Sequence, residues 1–213
     1  MNITVKTTKE TNWKEIAENP TLGAVITDTL KNGQEIKYEI AATGVYGAAA
    51  AVVCYDCLPE QWAMNKEWTN KGGYNPSEMR RHLREDILPL LPDELRAVIV
   101  PRAIKQKING KIVEGGTPDE IWLPSVTEMF GDDLTNDPRT GDYEDVHFSL
   151  YSTEKSRVKE CGDNGTWFYW LRSPCTGPTG NFWGVYSGGG VNLYTSYGAN
   201  SQYGVAFGFL INP

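Results

Sequence analysis

The chain predicts an α+β fold in which small antiparallel sheets, closed by tight hairpins, surround two main helices. Three observations predict it. Asn-Gly pairs at 32–33 and 109–110 each sit between strand-like arms, the strongest short hairpin signal a sequence carries. Ile36, Tyr38 and Ile40 alternate with Glu35, Lys37 and Glu39, the pattern of a half-buried strand. Met79, Leu83 and Ile87 recur every fourth residue, which draws one apolar stripe along a helix.

In chain order, Thr11-Asn12 caps a short helix over 13–18, which Asn19-Pro20 stops. Residues 24–30 and 34–40 are the arms of the first hairpin, and the apolar run 48–54 reads as a buried strand. The clearest helix opens at Asn75-Pro76-Ser77-Glu78, with Asn75 as N-cap, Pro76 at the first helical position and Glu78 reaching back as in a capping box. Pro89 and Pro92 break it, and a second helix over 93–100 buries Leu95, Val98 and Ile99. Lys107-Ile108 and Lys111-Ile112 are the arms of the second hairpin. Residues 121–123 read as a strand, followed by the capping box Ser125-Val126-Thr127-Glu128. The stretch 131–145 holds six carboxylates among Gly, Pro and Asn and lacks EF-hand spacing. It reads as a solvated acidic loop, with calcium binding left open.

The 213 residues suit one domain, in which 1–22 form an N-terminal segment. A net charge of −7 without a Lys/Arg run excludes a nucleic-acid partner, since such binding rests on neutralising phosphates. No apolar stretch approaches the ~18 residues of a membrane span, so no membrane insertion is expected. The N-terminus has no apolar leader, which points to a virion-associated or cytoplasmic protein, or to surface display through another component. Cys54 and Cys57 have ligand spacing, but Cys161 and Cys175 do not supply the second pair; the four read as reduced, mostly buried thiols, with no metal. His82 and His147 have no Ser or Cys partner in sequence, so no catalytic residue and no cofactor is expected, and the chain does not read as an enzyme.

The C-terminal composition carries the functional signal. From Ser173 to Pro213 there is no Asp, Glu, Lys or Arg, yet the segment holds nine of the 22 glycines and four of the 11 tyrosines. Its Asn, Ser and Gln side chains are too many to satisfy inside a core. Trp183, Val185, Val191, Val205, Phe207, Phe209 and Ile211 are spaced as strand residues, which excludes disorder. What remains is a sheet with an outward side of Tyr, Ser, Asn, Thr and Gly. That is the composition of antibody paratopes, in which tyrosine gives contact area at low entropic cost.

Several motifs, in order, carry a family resemblance: Gly72-Gly73-Tyr74 with Ser77-Glu78-Met79-Arg80, Leu91-Pro92-Asp93-Glu94-Leu95, Trp122-Leu123-Pro124-Ser125-Val126-Thr127-Glu128 and Trp170-Leu171-Arg172-Ser173-Pro174. From about residue 24 onward the chain resembles lectin-fold domains of unknown function from bacteria and phages. Its C-terminus resembles that of the variable proteins made by diversity-generating retroelements. The resemblance implies a C-type-lectin-like fold, with residues 173–213 as a variable, ligand-binding region. It also implies codons whose adenines are randomised. Asn codons altered at their first two bases yield Tyr, Ser, Thr, Gly or Leu, but never Gln or Trp. Gly184, Tyr186, Ser187, Gly188, Gly190, Asn192, Leu193, Tyr194, Thr195, Ser196, Tyr197, Asn200 and Tyr203 all pass that test, and Trp183 and Gln202 fail it. The chain departs from the family in lacking Arg after Gly204-Val205. It also has no Glu-Pro-Asn or Gln-Pro-Asp triplet, which argues against calcium-dependent sugar binding.

The expected ligand contacts are Tyr186, Ser187, Asn192, Tyr194, Thr195, Ser196, Tyr197, Asn200 and Tyr203. Trp170, Arg172 and Trp183 are expected as structural support, with Arg172 paired to a carboxylate or to carbonyls beneath the face. The expected partner is a protein or cell-surface ligand. The competing reading is a phage or cell-surface structural module that only self-associates, as a homo-oligomer, without diversification.

Overall fold

The computed structural model describes residues 11–108, 111–131, 145–175, 180–191 and 197–213, with Lys107 and Tyr197 described by backbone alone. The first hairpin forms as its turn residues require. Strand β1 (Val25–Thr29) pairs antiparallel with β2 (Glu35–Thr43), and Gly33 takes φ +88, open to glycine without strain. Asn32 Oδ1 accepts the Gln34 N–H and fixes the turn. Ile36, Tyr38 and Ile40 are buried, as the alternation predicts, whereas Glu39 is buried as well through its bonds to Tyr151 and Lys159.

Strand β3 (Ala50–Cys54) is buried throughout and pairs with β2 on one side. On its other side lies the last strand, β10 (Gly208–Ile211), which separates it from the two-residue β4 (Ile99–Val100). The resulting five-stranded order is β1-β2-β3-β10-β4, antiparallel at every step. Trp13, Tyr38 and Phe209 meet edge to face on this sheet at 5.3–5.9 Å. Helix α1 (Trp13–Glu18), capped by Asn12 as expected, supplies that tryptophan.

Helix α2 (Glu78–His82) starts two residues later than the expected cap. Ser77 takes the N-cap position and accepts the Arg80 N–H. Glu78 does not close a capping box: its N–H donates to Asn65 and its carboxylate accepts the Lys66 N–H. The helix then widens into a π-helical turn (Leu83–Ile87) and ends in a 3-10 turn (Leu88–Leu90) at Pro89. The second helix, α3, spans only Asp93–Arg96. Ile99 and Val100, expected within it, instead extend as β4, because β10 offers them an unpaired backbone edge. The second hairpin forms from β5 (Lys105–Ile108) and β6 (Lys111–Glu114), and its Asn109-Gly110 tip lies outside the described residues. The capping box at Ser125 closes in both directions and opens α4 (Val126–Phe130). Residues 121–123 make a single bridge, Trp122 to Gly208, rather than a strand. A further capping box, Thr153 with Ser156, opens α5 (Glu154–Arg157).

A second, three-stranded sheet carries the C-terminal segment: β7 (Tyr169–Pro174), β8 (Asn181–Val185) and β9 (Tyr197–Gly198) in that order. No helix among the described residues is long and apolar enough to cross a membrane. The acidic stretch lies outside the described residues over 132–144.

Candidate recognition face

Beneath the three-stranded sheet lies a buried ionic network. Arg172 sits in β7 with 2 % of its side chain exposed. Its Nη1 donates to Glu128 Oε2 at 2.6 Å and to the Leu123 carbonyl at 2.9 Å, and its Nη2 reaches Asp145 Oδ2 at 2.6 Å. Arg102 binds the same two carboxylates from the other side, at 2.5 Å each. Two guanidinium groups and two carboxylates thus cancel, which is what permits their burial. Burial alone would raise the Glu128 carboxyl, but Arg172, Arg102 and the Ser125 N–H hold it down to about 2. Asp145 moves the other way, because burial and the neighbouring Glu128 charge outweigh the two guanidiniums.

Tyr46 closes the network. Its hydroxyl donates to Glu128 Oε1 and accepts the Val146 N–H, and its ring lies under Arg102 with the guanidinium carbon 3.6 Å from the centroid. Tyr46 has φ +56 and is, among the described residues, the only non-glycine with a positive value. A tyrosine held in the left-handed region is a strained feature kept because the surrounding bonds fix it. Ser173 Oγ accepts the Val126 N–H, so the Trp-Leu-Arg-Ser-Pro and Ser-Val-Thr-Glu motifs are bonded to one another at two adjacent residues.

The residues expected as support all lie in the interior. Trp170 and Trp183 are buried, and Trp170 Nε1 donates to the Trp62 carbonyl at 2.7 Å. Of the expected contact residues, Asn200 is exposed, while Tyr186, Ser187 and Tyr203 are half-buried. Tyr203 packs its ring against Trp170 at 5.0 Å and pairs its backbone with Trp62. Tyr197 is placed by backbone, opposite Phe182 in β9. Asn192, Tyr194, Thr195 and Ser196 lie outside the described residues.

The loop after β8 shows how tightly each position is constrained. The Tyr186 N–H donates to the Gly190 carbonyl and the Gly189 N–H to the Tyr186 carbonyl, which folds residues 186–190 into a tight turn. At Gly189, with φ +82, any Cβ would collide with the Glu154 carbonyl oxygen, and the Gly189 carbonyl accepts from Arg157 Nε. At Gly188 and Gly190 the atoms nearest a Cβ belong to the Tyr186 side chain, at 3.0 and 2.5 Å.

Sequence reasoning passed over Trp68, which is 64 % exposed. It stands beside β9, and its Nε1 donates to Asn181 Oδ1 at 2.7 Å. Gly180 and Gly198 leave room for it, and Asn70 Nδ2 pins the adjoining strand ends through the carbonyls of Cys175 and Asn181. A tryptophan inside the polar run Lys66-Glu67-Trp68-Thr69-Asn70-Lys71, with no apolar periodicity to join, is the signal that could have found it.

The reading of four reduced thiols is corrected for one pair. Cys57 and Cys161 form a disulfide with their Cα atoms 4.8 Å apart, whereas Cys54 and Cys175 are buried thiols outside any disulfide. Gly204 lies directly over the bond, since a Cβ there would stand 2.6 Å from both sulfurs. Among the described residues no cluster of three or more His, Cys, Asp or Glu could hold a metal ion.

A family model described as Domain of unknown function (DUF6273) matches residues 45–212. No curated protein and no solved structure gives a match.

Proposed function

This chain belongs to the DUF6273 family of domains, and we propose that it is a target-binding protein of C-type-lectin-like fold, whose uncharged C-terminal face is diversified by a retroelement. The partner is a protein or cell-surface ligand, contacted by the Tyr/Asn/Ser side chains of residues 186–203, with Trp68 as a fixed aromatic anchor beside them. The observation that carries this reading is the division of labour within the loop after β8. Gly189, not among the expected variable positions although glycine itself passes the codon test, is blocked by the Glu154 backbone, while the atoms nearest a Cβ at Gly188 and Gly190 belong to the side chain of Tyr186, itself within the permitted set. A diversified loop needs that division, because a fixed hinge keeps the backbone while the flanking side chains change.

The neutral network of Arg172, Arg102, Glu128 and Asp145 gives further support. It ties the sheet to α4 without using a single side chain of the face, so this link does not depend on what the face carries. Pre-organisation of that kind favours affinity by reducing the ordering cost on binding.

Deep sequencing of the locus from a growing population tests the proposal. Substitutions are expected to concentrate in the codons for Tyr186, Ser187, Asn192, Tyr194, Thr195, Ser196, Tyr197, Asn200 and Tyr203. Trp170, Arg172, Trp183 and Gly189 should stay constant, beside a reverse-transcriptase gene and a near-copy of the segment. An invariant face without that neighbouring copy would overturn diversification and leave the self-associating module.

A further inference from the structure

A second feature lies next to the face and is independent of it. A cleft of about 640 Å³ opens between the segment around Trp62 and the outer side of α2 with its π-helical continuation. Trp62 and His82 form one wall, with rings stacked 17° from parallel and centroids 3.4 Å apart. Gln202 lines the rim.

His82 is 6 % exposed, and its Nδ1 lies 2.7 Å from Asp86 Oδ2. A carboxylate can only accept, so Nδ1 donates to Asp86, and in the tautomer protonated at Nδ1 it is Nε2 that presents a lone pair. That Nε2 is buried and has no hydrogen-bond partner among the described residues. A buried acceptor left unpaired in this way calls for a donor from outside.

The charges around it say which kind of donor. Glu60, Glu78, Glu85 and Asp86 line the cleft, against only Lys66 and Arg81. Arg81 stands 4.0 Å from Glu85 with most of its side chain in solvent, so it neutralises the cleft poorly. The Glu78 carboxylate is already turned to the Lys66 N–H, which leaves Glu60, Glu85 and Asp86 as accessible acceptors, the last two carried on the helix of the histidine itself. The π-helical turn carries both of them, and such widened turns recur at functional sites.

We propose that this cleft binds an organic cation of the guanidinium type. One N–H donates to His82 Nε2, while others in the same plane bond the Glu85 and Asp86 carboxylates. A planar fork of donors satisfies a neutral acceptor and two carboxylates together, and a cation without N–H groups cannot. The source is either a free small molecule or an arginine side chain of a protein, and the chemistry at the cleft is the same for both.

NMR titration of the intact chain tests it, with the His82 imidazole and Trp62 indole resonances as readout. The probes are N-acetylarginine N-methylamide and agmatine. The citrulline analogue of the first is the neutral control, and N-acetylglutamate N-methylamide is the anionic one. Both cations are expected to shift those resonances saturably. Tighter binding of agmatine assigns a free small molecule, and equal or tighter binding of the blocked arginine assigns a protein side chain. Glu85→Gln with Asp86→Asn, at two exposed positions, should weaken binding about fivefold or more at an unchanged melting temperature. His82→Phe keeps the stack and should abolish the response. Equal binding of the citrulline probe, tighter binding of the glutamate probe, no saturable shift, or unaltered affinity in the Glu85/Asp86 variant would each overturn the proposal. Because none of these variants touches residues 186–203, failure here leaves the diversified face standing.

Discussion

Glu128 accepts from both buried arginines, from the Tyr46 hydroxyl and from the Ser125 N–H. Removing its charge leaves Arg102 and Arg172 buried with one carboxylate between them, a change that costs about 3–5 kcal/mol. Glu128→Gln is therefore expected to lower the unfolding free energy by that amount in denaturant titration, although the substitution is nearly isosteric. The same residue sets an acid limit. Its folded pKa, about 2, lies below its ordinary 4.5, so the stability it contributes is complete above pH ~4.5 and is lost as pH falls towards 2. Over that window the protein should lose about 3 kcal/mol through Glu128. Asp145, with its carboxyl raised first by burial, acts in the opposite sense and trims the loss. Equilibrium unfolding from pH 6 to 2 should show a slope that Glu128→Gln flattens; parallel curves for the two proteins would mean that the network is not charged.

Among the elements, the loop after β8 gives the sharpest test. Gly189→Ser places a side chain into the Glu154 carbonyl at a left-handed φ and should cost more than about 2 kcal/mol, whereas Gly188→Ser and Gly190→Ser should each stay within about 1 kcal/mol. Thermal unfolding of the three variants decides it, and three equal losses would remove the support that this loop gives to a diversified face. Elements whose signals are local were legible in the sequence: the Asn32-Gly33 hairpin, the Asn12 cap and the Ser125 capping box all form as read. Misreadings arose where a distant partner competes. Asn75 loses the N-cap to Ser77, as Asn65, thirteen residues before Glu78, takes the first helical N–H. Ile99 and Val100 leave their helix for β10, a strand more than a hundred residues away that periodicity does not reveal.

At the scale of the molecule, the same contrast separates the parts of the candidate site. That Arg172 pairs with a carboxylate or with carbonyls was legible from its being the last charge in the chain, but nothing local could say that Glu128, Asp145 and the Leu123 carbonyl are the partners. The Cys57–Cys161 bond and the Trp62–His82 stack join residues 104 and 20 positions apart, and no spacing rule connects them. The disulfide closes a loop long enough to stabilise the fold by up to about 4–5 kcal/mol through the unfolded chain. Protein unfolded without reductant should therefore titrate with two thiols, from Cys54 and Cys175, and reductant should lower its melting temperature. Four titratable thiols would restore the reduced reading.

One consequence follows from the place of β10. This strand, made of residues 208–211, is the rung that holds β3 and β4 together, yet it is encoded near the end of the charge-free segment. A product cut short or shifted in frame anywhere between 173 and 207 loses it, and the five-stranded sheet falls into β1-β2-β3 and an orphaned β4. Under the proposed diversification, faulty copies of the segment would thus fail as folds, so the architecture proofreads the reading frame of the region that precedes the strand.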